Sequence, residues 1–158
     1  MPYIILAMAL LLITAGSISS LRVIQGQNTP AALDTGTRAT RAWLSYKSAL
    51  LAYLEKNPGA DGSLSLDQIG LATDAGLLAA AGNQIQRGPN AVTLEAWMPL
   101  TSDEITDAIR LSNGDRSIGT STGDRWTTPA FGDMGTLPVS APAGDVVSVV
   151  TLSGSGYP

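Results

Sequence analysis

Thr35 to Lys56 reads TGTRATRAWLSYKSALLAYLEK and runs straight into Asn57-Pro58-Gly59. Ala39, Trp43, Tyr46, Leu50, Tyr53 and Leu54 recur mainly at three- and four-residue steps, which is the period of a helix carrying one apolar stripe. Leu44 and Leu51 lie off that stripe, so the spacing predicts a helix covered on more than one side. Pro58 cannot continue the hydrogen-bond ladder and Gly59 tolerates a left-handed exit, so the helix ends there.

Downstream the pattern changes from helix to strand. Ser65-Leu66-Asp67-Gln68 has the spacing of a capping box for a one- or two-turn helix, and residues 72–82 predict another short helix. Asn83 to Asn90 reads as polar connection and turn. Ala91 to Met98 (AVTLEAWM) partly alternates and predicts the first strand. Thr101, followed by Asp103 and Glu104, starts a helix to about Leu111 that buries Ile105, Ala108 and Ile109. Asn113-Gly114-Asp115 is a turn, with strands expected near Arg116–Thr120, Arg125–Thr128 and Asp145–Leu152. Val146, Val147, Val149 and Val150 make the last a strand buried on both faces. Between Pro129 and Pro142 lies a Gly/Pro-rich loop, and the tail from Gly154 is expected to fray. Helices first and strands later predict an α+β head, with a long helix, short helices and an antiparallel sheet.

Upstream, Gln25 to Pro30 (QGQNTP) breaks the chain, and before it Tyr3 to Ile18 (YIILAMALLLITAGSI) has sixteen positions without a charge. As a helix that run rises ~24 Å, and extending it to Ile24 gives ~33 Å, enough to cross a bilayer. The expectation is a retained N-terminal transmembrane helix whose membrane-facing residues are Tyr3, Ile4, Leu6, Leu10, Leu11, Leu12, Ile13 and Ile18. Arg22 then sits near the interface, where its stem can snorkel. Ala15, Gly16, Ser17 and Ser19 would also suit a signal peptidase, but no basic region precedes the apolar run. A buried core helix suits such a run less well than lipid does, and a processed prepilin would need a charged leader before it. The expected division is residues 1–28 as anchor and linker and 29–158 as a soluble head. A strict count of Arg22, Arg38 and Arg41 would keep the head in the cytoplasm. That count rests on one residue near the segment, and the head is expected to be periplasmic.

Composition narrows the chemistry. Only Arg22 of the nine basic residues precedes residue 29, leaving eight bases against thirteen acids in the head, a net charge of −5. An acidic head without a basic run lacks the footprint that phosphate backbones need, so nucleic acid is not an expected partner. The chain has neither cysteine nor histidine. Disulfides, thiolate metal sites, lipidated cysteine and a Ser-His-Asp triad are therefore out of reach. Apolar residues at 44% give enough material for a core.

Single motifs carry little. Gly114 to Ser121 half-matches a phosphate-binding loop, but Thr120 stands where the lysine belongs, so it reads as turn and strand. Asp103 and Glu104 are explained by the capping turn. Lys47 beside Ser45 and Ser48 evokes a Ser–Lys pair, yet adjacent helical positions point apart, so all three read as solvated. The ten aspartates fall at no calcium-loop spacing. No catalytic, cofactor-binding or metal-binding residue is expected. Trp43, Tyr46 and Tyr53 remain as either core or a partner-facing surface, because Trp and Tyr often anchor interfaces.

The order of these pieces resembles the PilM family of conjugative-plasmid type IV (thin) pilus biogenesis proteins. The similarity lies in the uncharged MPYIILAMALLL start, the RAWLSYKSALLAYLEKNPG helix and a strand ending in Trp97-Met98-Pro99. The acid-capped helix, SIGTSTGDRW, and a Pro-rich loop before DVVSVV continue it. The resemblance implies a non-enzymatic inner-membrane protein of the pilin-transport apparatus or basal body. Its partners would be other pilus-assembly proteins, and it would need no cofactor. A minor pilin or pseudopilin is the structural alternative, and an exported small binding domain a third.

Overall fold

The computed structural model describes residues 31–154 and Tyr157, with side chains from Arg38 onward. The expected anchor, Tyr3 through Ile18, lies outside the described residues. Among the described residues no helix is long and apolar enough to cross a membrane.

Helix α1 spans Ala31–Lys56, starting four residues earlier than its apolar stripe predicts. Its inner face buries Thr40, Trp43, Tyr46, Lys47, Leu50 and Leu54, a stripe at three- and four-residue steps. Asn57 closes it, donating both its backbone N–H and its side-chain amide to the Tyr53 carbonyl at 2.9 Å. The second helix, α2 (Ser102–Leu111), begins as its sequence predicts. Thr101 and Glu104 form a reciprocal capping box, and Ile105 and Ala108 are buried.

The six strands are β1 (Gly82–Arg87), β2 (Ala91–Met98), β3 (Ile118–Ser121), β4 (Arg125–Thr128), β5 (Gly132–Thr136) and β6 (Val146–Ser153). They form one sheet in the order β1-β2-β6-β3-β4-β5, and every neighbouring pair is antiparallel. The last strand thus enters the middle of the sheet, which explains why its valines are apolar on both faces. Along β2, Val92, Leu94, Ala96 and Met98 join Val146, Ile118 and the α1 stripe in the main core. Trp97 and Val149 face the other way, with Val147, Trp126, Leu137 and Ala141. Each large side chain buried this way contributes about 1.5–3 kcal/mol, so the two clusters dominate the head's stability.

Four local expectations need correction. Asn83–Asn90 is mostly strand β1, because Ile85 packs in the core and Asn83 is buried by hydrogen bonding rather than by apolarity. The Gly/Pro-rich loop hides strand β5, held against β4 around a bulge between Trp126 and Thr127. Residues 72–82 give a single 3-10 turn, Ala72–Asp74, followed by turns. The Ser65–Gln68 capping pair does form, with Ser65 N–H to Gln68 Oε1 at 2.8 Å and Gln68 N–H to Ser65 Oγ at 3.3 Å, but only turns follow it.

The two long loops cover what the helices leave open. Gly62 pairs with Ile85 on the outer edge of β1, at 3.0 and 2.8 Å. Asn83 anchors the same loop, accepting from Leu64 N–H and donating to the Leu64 carbonyl, both at 2.8 Å. On the far face of the sheet, residues 137–142 form a strap. Val139 N–H donates to Glu95 Oε2 at 3.0 Å, Gln86 Nε2 to the Pro138 carbonyl at 3.2 Å, and Ser121 Oγ to the Ala141 carbonyl at 2.9 Å.

Candidate functional site

Trp43 and Tyr46 sit on the face of α1 pressed against the sheet and are 0% and 1% exposed. The idea of a partner-facing surface at these two is corrected: their rings are core, 6.1 Å apart between centroids. The Tyr46 hydroxyl is held by a 2.7 Å hydrogen bond from Asn83 Nδ2, and burial pushes its ionisation upward against that bond. Tyr53 alone of the three keeps exposed surface. It lines a small groove with Ala49, Ala52, Lys56, Gln68 and Ile69.

Lys47 is the residue that sequence reasoning misplaced. Its neighbours Ser45 and Ser48 are exposed, but Lys47 points inward and its side chain is 7% exposed. It donates to the Asp115 carboxylate and, at 2.7 Å, to Ser117 Oγ. Ser117 Oγ in turn donates to Asp115 Oδ1 at 2.8 Å. A hydroxyl has one proton, so in the 3.0 Å Ser117–Ser148 contact it is Ser148 that donates. Burial pushes the Asp115 carboxyl up, yet the bonds from Lys47 and Ser117 outweigh it and leave the group below the usual carboxylate range. The network is closed on itself. It ties the middle of α1 to the turn before β3 and, through Ser148, to β6.

A second polar feature lies where α2 meets α1. Thr40 Oγ1 donates to the Glu104 carbonyl at 3.4 Å, which brings the start of α2 against the first half of α1. Beside it an open recess of about 430 Å³ is lined by Pro99, Leu100, Thr101, Glu104, Ala143, Gly144 and Asp145. Glu104 Oε2 accepts from Thr101 N–H at 2.8 Å and from Thr101 Oγ1 at 2.9 Å. Asp145 is only 8% exposed, and burial alone pushes its carboxyl up. No hydrogen bond or ion pair reaches its carboxylate from the described residues. No local signal marks this acid in the sequence, where it reads as the edge of a strand.

The remaining motifs keep their plain readings. Asp103 lies in the first turn of α2, and Glu104 completes the capping box. Gly114 to Ser121 is a turn with Asn113 and Gly114 at positive φ, followed by β3. Among the described residues no three acidic side chains come together as metal ligands.

Three comparisons place the chain. The PilM family model matches residues 8–149. No curated protein matches. A crystal structure of a protein PilM from Escherichia coli B7A is similar at a TM-score of 0.59 and 17% identity, covering 79% of this chain and 98% of that one. At that identity the likeness shows a shared fold. The family match spans most of the sequence, and the chain belongs to the PilM family, a family of pilus biogenesis proteins.

Proposed function

We propose that the chain is a non-enzymatic component of the assembly apparatus or basal body of a type IV thin (conjugative) pilus. In this reading its N-terminal segment stays in the inner membrane, the head stands in the periplasm, and its partners are other pilus-assembly proteins. The observation that carries the reading is the family match over residues 8–149, which begins inside the uncharged run from Tyr3 to Ile18. The size of the head and its closed polar networks fit a binding module better than a catalyst.

Deleting the gene from pilus-bearing cells is expected to abolish thin pili and liquid mating while pilin still accumulates. Normal pili in the deletion strain would overturn the reading. A second reading, a minor pilin, is favoured by one observation: a 26-residue helix laid on an antiparallel sheet is also the build of a pilin head. Recovery of the chain in sheared pili supports that reading, and its retention with the inner membrane supports the assembly component.

A further inference from the structure

The recess between Pro99 and Asp145 holds an acid that has no counter-ion among the described residues. The residue is only 8% exposed, its carboxylate reaches solvent at the mouth of the recess, and no described residue offsets its charge, so a docked cation would be its first partner. Glu104 also lines the recess and, among the described residues, its carboxylate is engaged through Oε2. Pro99, Leu100 and Ala143 supply the apolar remainder of the wall. The missing piece is therefore positive, slender and partly apolar. A hard divalent cation wants six or more oxygen ligands, and no trio of acids gathers here among the described residues. A long basic side chain meets every condition, with its stem along the apolar wall and its charge against the acids. The head's net charge of −5 attracts such a partner from a distance.

We infer that this recess is a socket for a lysine or arginine side chain presented by a partner protein, with Asp145 as its counter-ion. The inference rests on the assembly reading only in expecting a protein partner. The socket lies beside the contact of Thr40 with the Glu104 carbonyl, so the partner docks next to the start of α2.

The test uses the full chain in its own host cells, with p-benzoyl-phenylalanine in place of the exposed rim residue Ala143. After irradiation, an adduct is expected on a partner segment that carries a lysine or arginine. Asp145→Asn should lower the adduct yield about tenfold or more, as when a desolvated charge pair loses one member. The same variant should melt at an equal or higher temperature, because partial burial opposes the charge of Asp145 and no described residue offsets it. Asp145→Lys combined with an acid at the partner's basic position should restore the adduct. No adduct, an adduct on a segment without a basic residue, or a yield indifferent to Asp145→Asn would each overturn the socket. So would a lost yield that the charge-swapped pair fails to restore. Millimolar Mg²⁺ binding to the purified protein that Asp145→Asn abolishes would replace it with a cation site. Normal pili in a deletion strain sink the assembly reading and leave the adduct result standing, so the two failures are separable.

Discussion

Lys47, in the middle of α1, donates to the carboxylate of Asp115, 68 residues further along the chain in the turn before β3. The contact joins the first described helix to the turn that leads into β3. Removing Lys47 strands a carboxylate whose side chain is 33% exposed, so the penalty for a fully buried pair must be discounted. Lys47→Met is expected to cost about 2 kcal/mol in urea unfolding. Combining it with Asp115→Asn should recover part of the loss, with a coupling of about 1 kcal/mol between the two sites. Strict additivity would show that the contact does not form.

Asp115 also sets an acid limb. Its carboxyl is held below the ordinary range, so its contribution is present above the unfolded value near ~3.9 and is lost as pH falls through the lower folded value. Asp115→Asn should flatten that limb of the stability curve, measured by urea midpoints between pH 5 and 2. An unchanged limb would place the acid sensitivity elsewhere.

Glu95 behaves in the opposite sense. It is fully buried beneath the strap, with Oε2 held by Val139 and Oε1 without a partner among the described residues. Burial pushes its carboxyl above the usual range, against the opposing Val139 bond. The stability it adds is complete below the unfolded value near ~4.3 and is lost as pH rises through the raised folded value. Glu95→Gln should therefore gain on the parent protein between pH 4 and pH 8. The near-UV circular dichroism of Trp97 and Trp126 should report the strap at the same time. A gap between variant and parent that does not move with pH would refute the buried acid.

Trp43 decides the aromatic stripe. Its ring is fully buried, so Trp43→Ala should destabilise the head by about 3–5 kcal/mol. Its indole N–H finds no acceptor among the described residues, so Trp43→Phe removes an unmet donor and should cost distinctly less. A Trp43→Ala head that melts like the parent would return this residue to the surface.

The elements read well from the sequence were those specified within a few residues. Strand β2 matches AVTLEAWM residue for residue, and α2 starts at its own capping box. Strand β1 escaped because GNQIQR has one large apolar side chain, and what buries Asn83 is a bond to Tyr46, 37 residues away. Strand β5 escaped because GDMGT places two glycines at positive φ, a turn-like signal, and is an edge strand whose only partner is β4. Lys47 and Asp145 were illegible for one shared reason. Periodicity reports which face a residue occupies when it is apolar, but a charged residue turned inward is decided by distant partners or by their absence.

Two glycines make an ordered pair of predictions. A Cβ on Gly82 would strike the indole of Trp97 on the adjacent strand, while a Cβ on Gly119 would strike the Thr127 carbonyl. A side chain can swing aside, but a backbone carbonyl moves only with its strand. Gly82→Ala should cost about 1–3 kcal/mol with a shifted tryptophan emission. Gly119→Ala should cost more, separating β3 from β4. The reverse order would mean that the β3–β4 contact is looser than its geometry.

The last prediction concerns the head by itself. The main core draws its side chains from Ala39 through Tyr157, and Thr35 to Pro158 cluster as one unit. From Thr40 onward helix α1 is fastened to the rest of the head, by Thr40 to Glu104 of α2, by Trp43 and Tyr46 in the core, and by Lys47 to Asp115 in the turn before β3. A fragment of residues 29–158 should therefore be a soluble monomer with a single cooperative unfolding transition, helped by its net charge of −5. Sedimentation and thermal unfolding monitored by circular dichroism check both halves of the claim. Aggregation on removal of residues 1–28, or a broad transition without near-UV signal, would show that those residues complete the core. The expected anchor would then be part of the fold rather than a tether to the membrane.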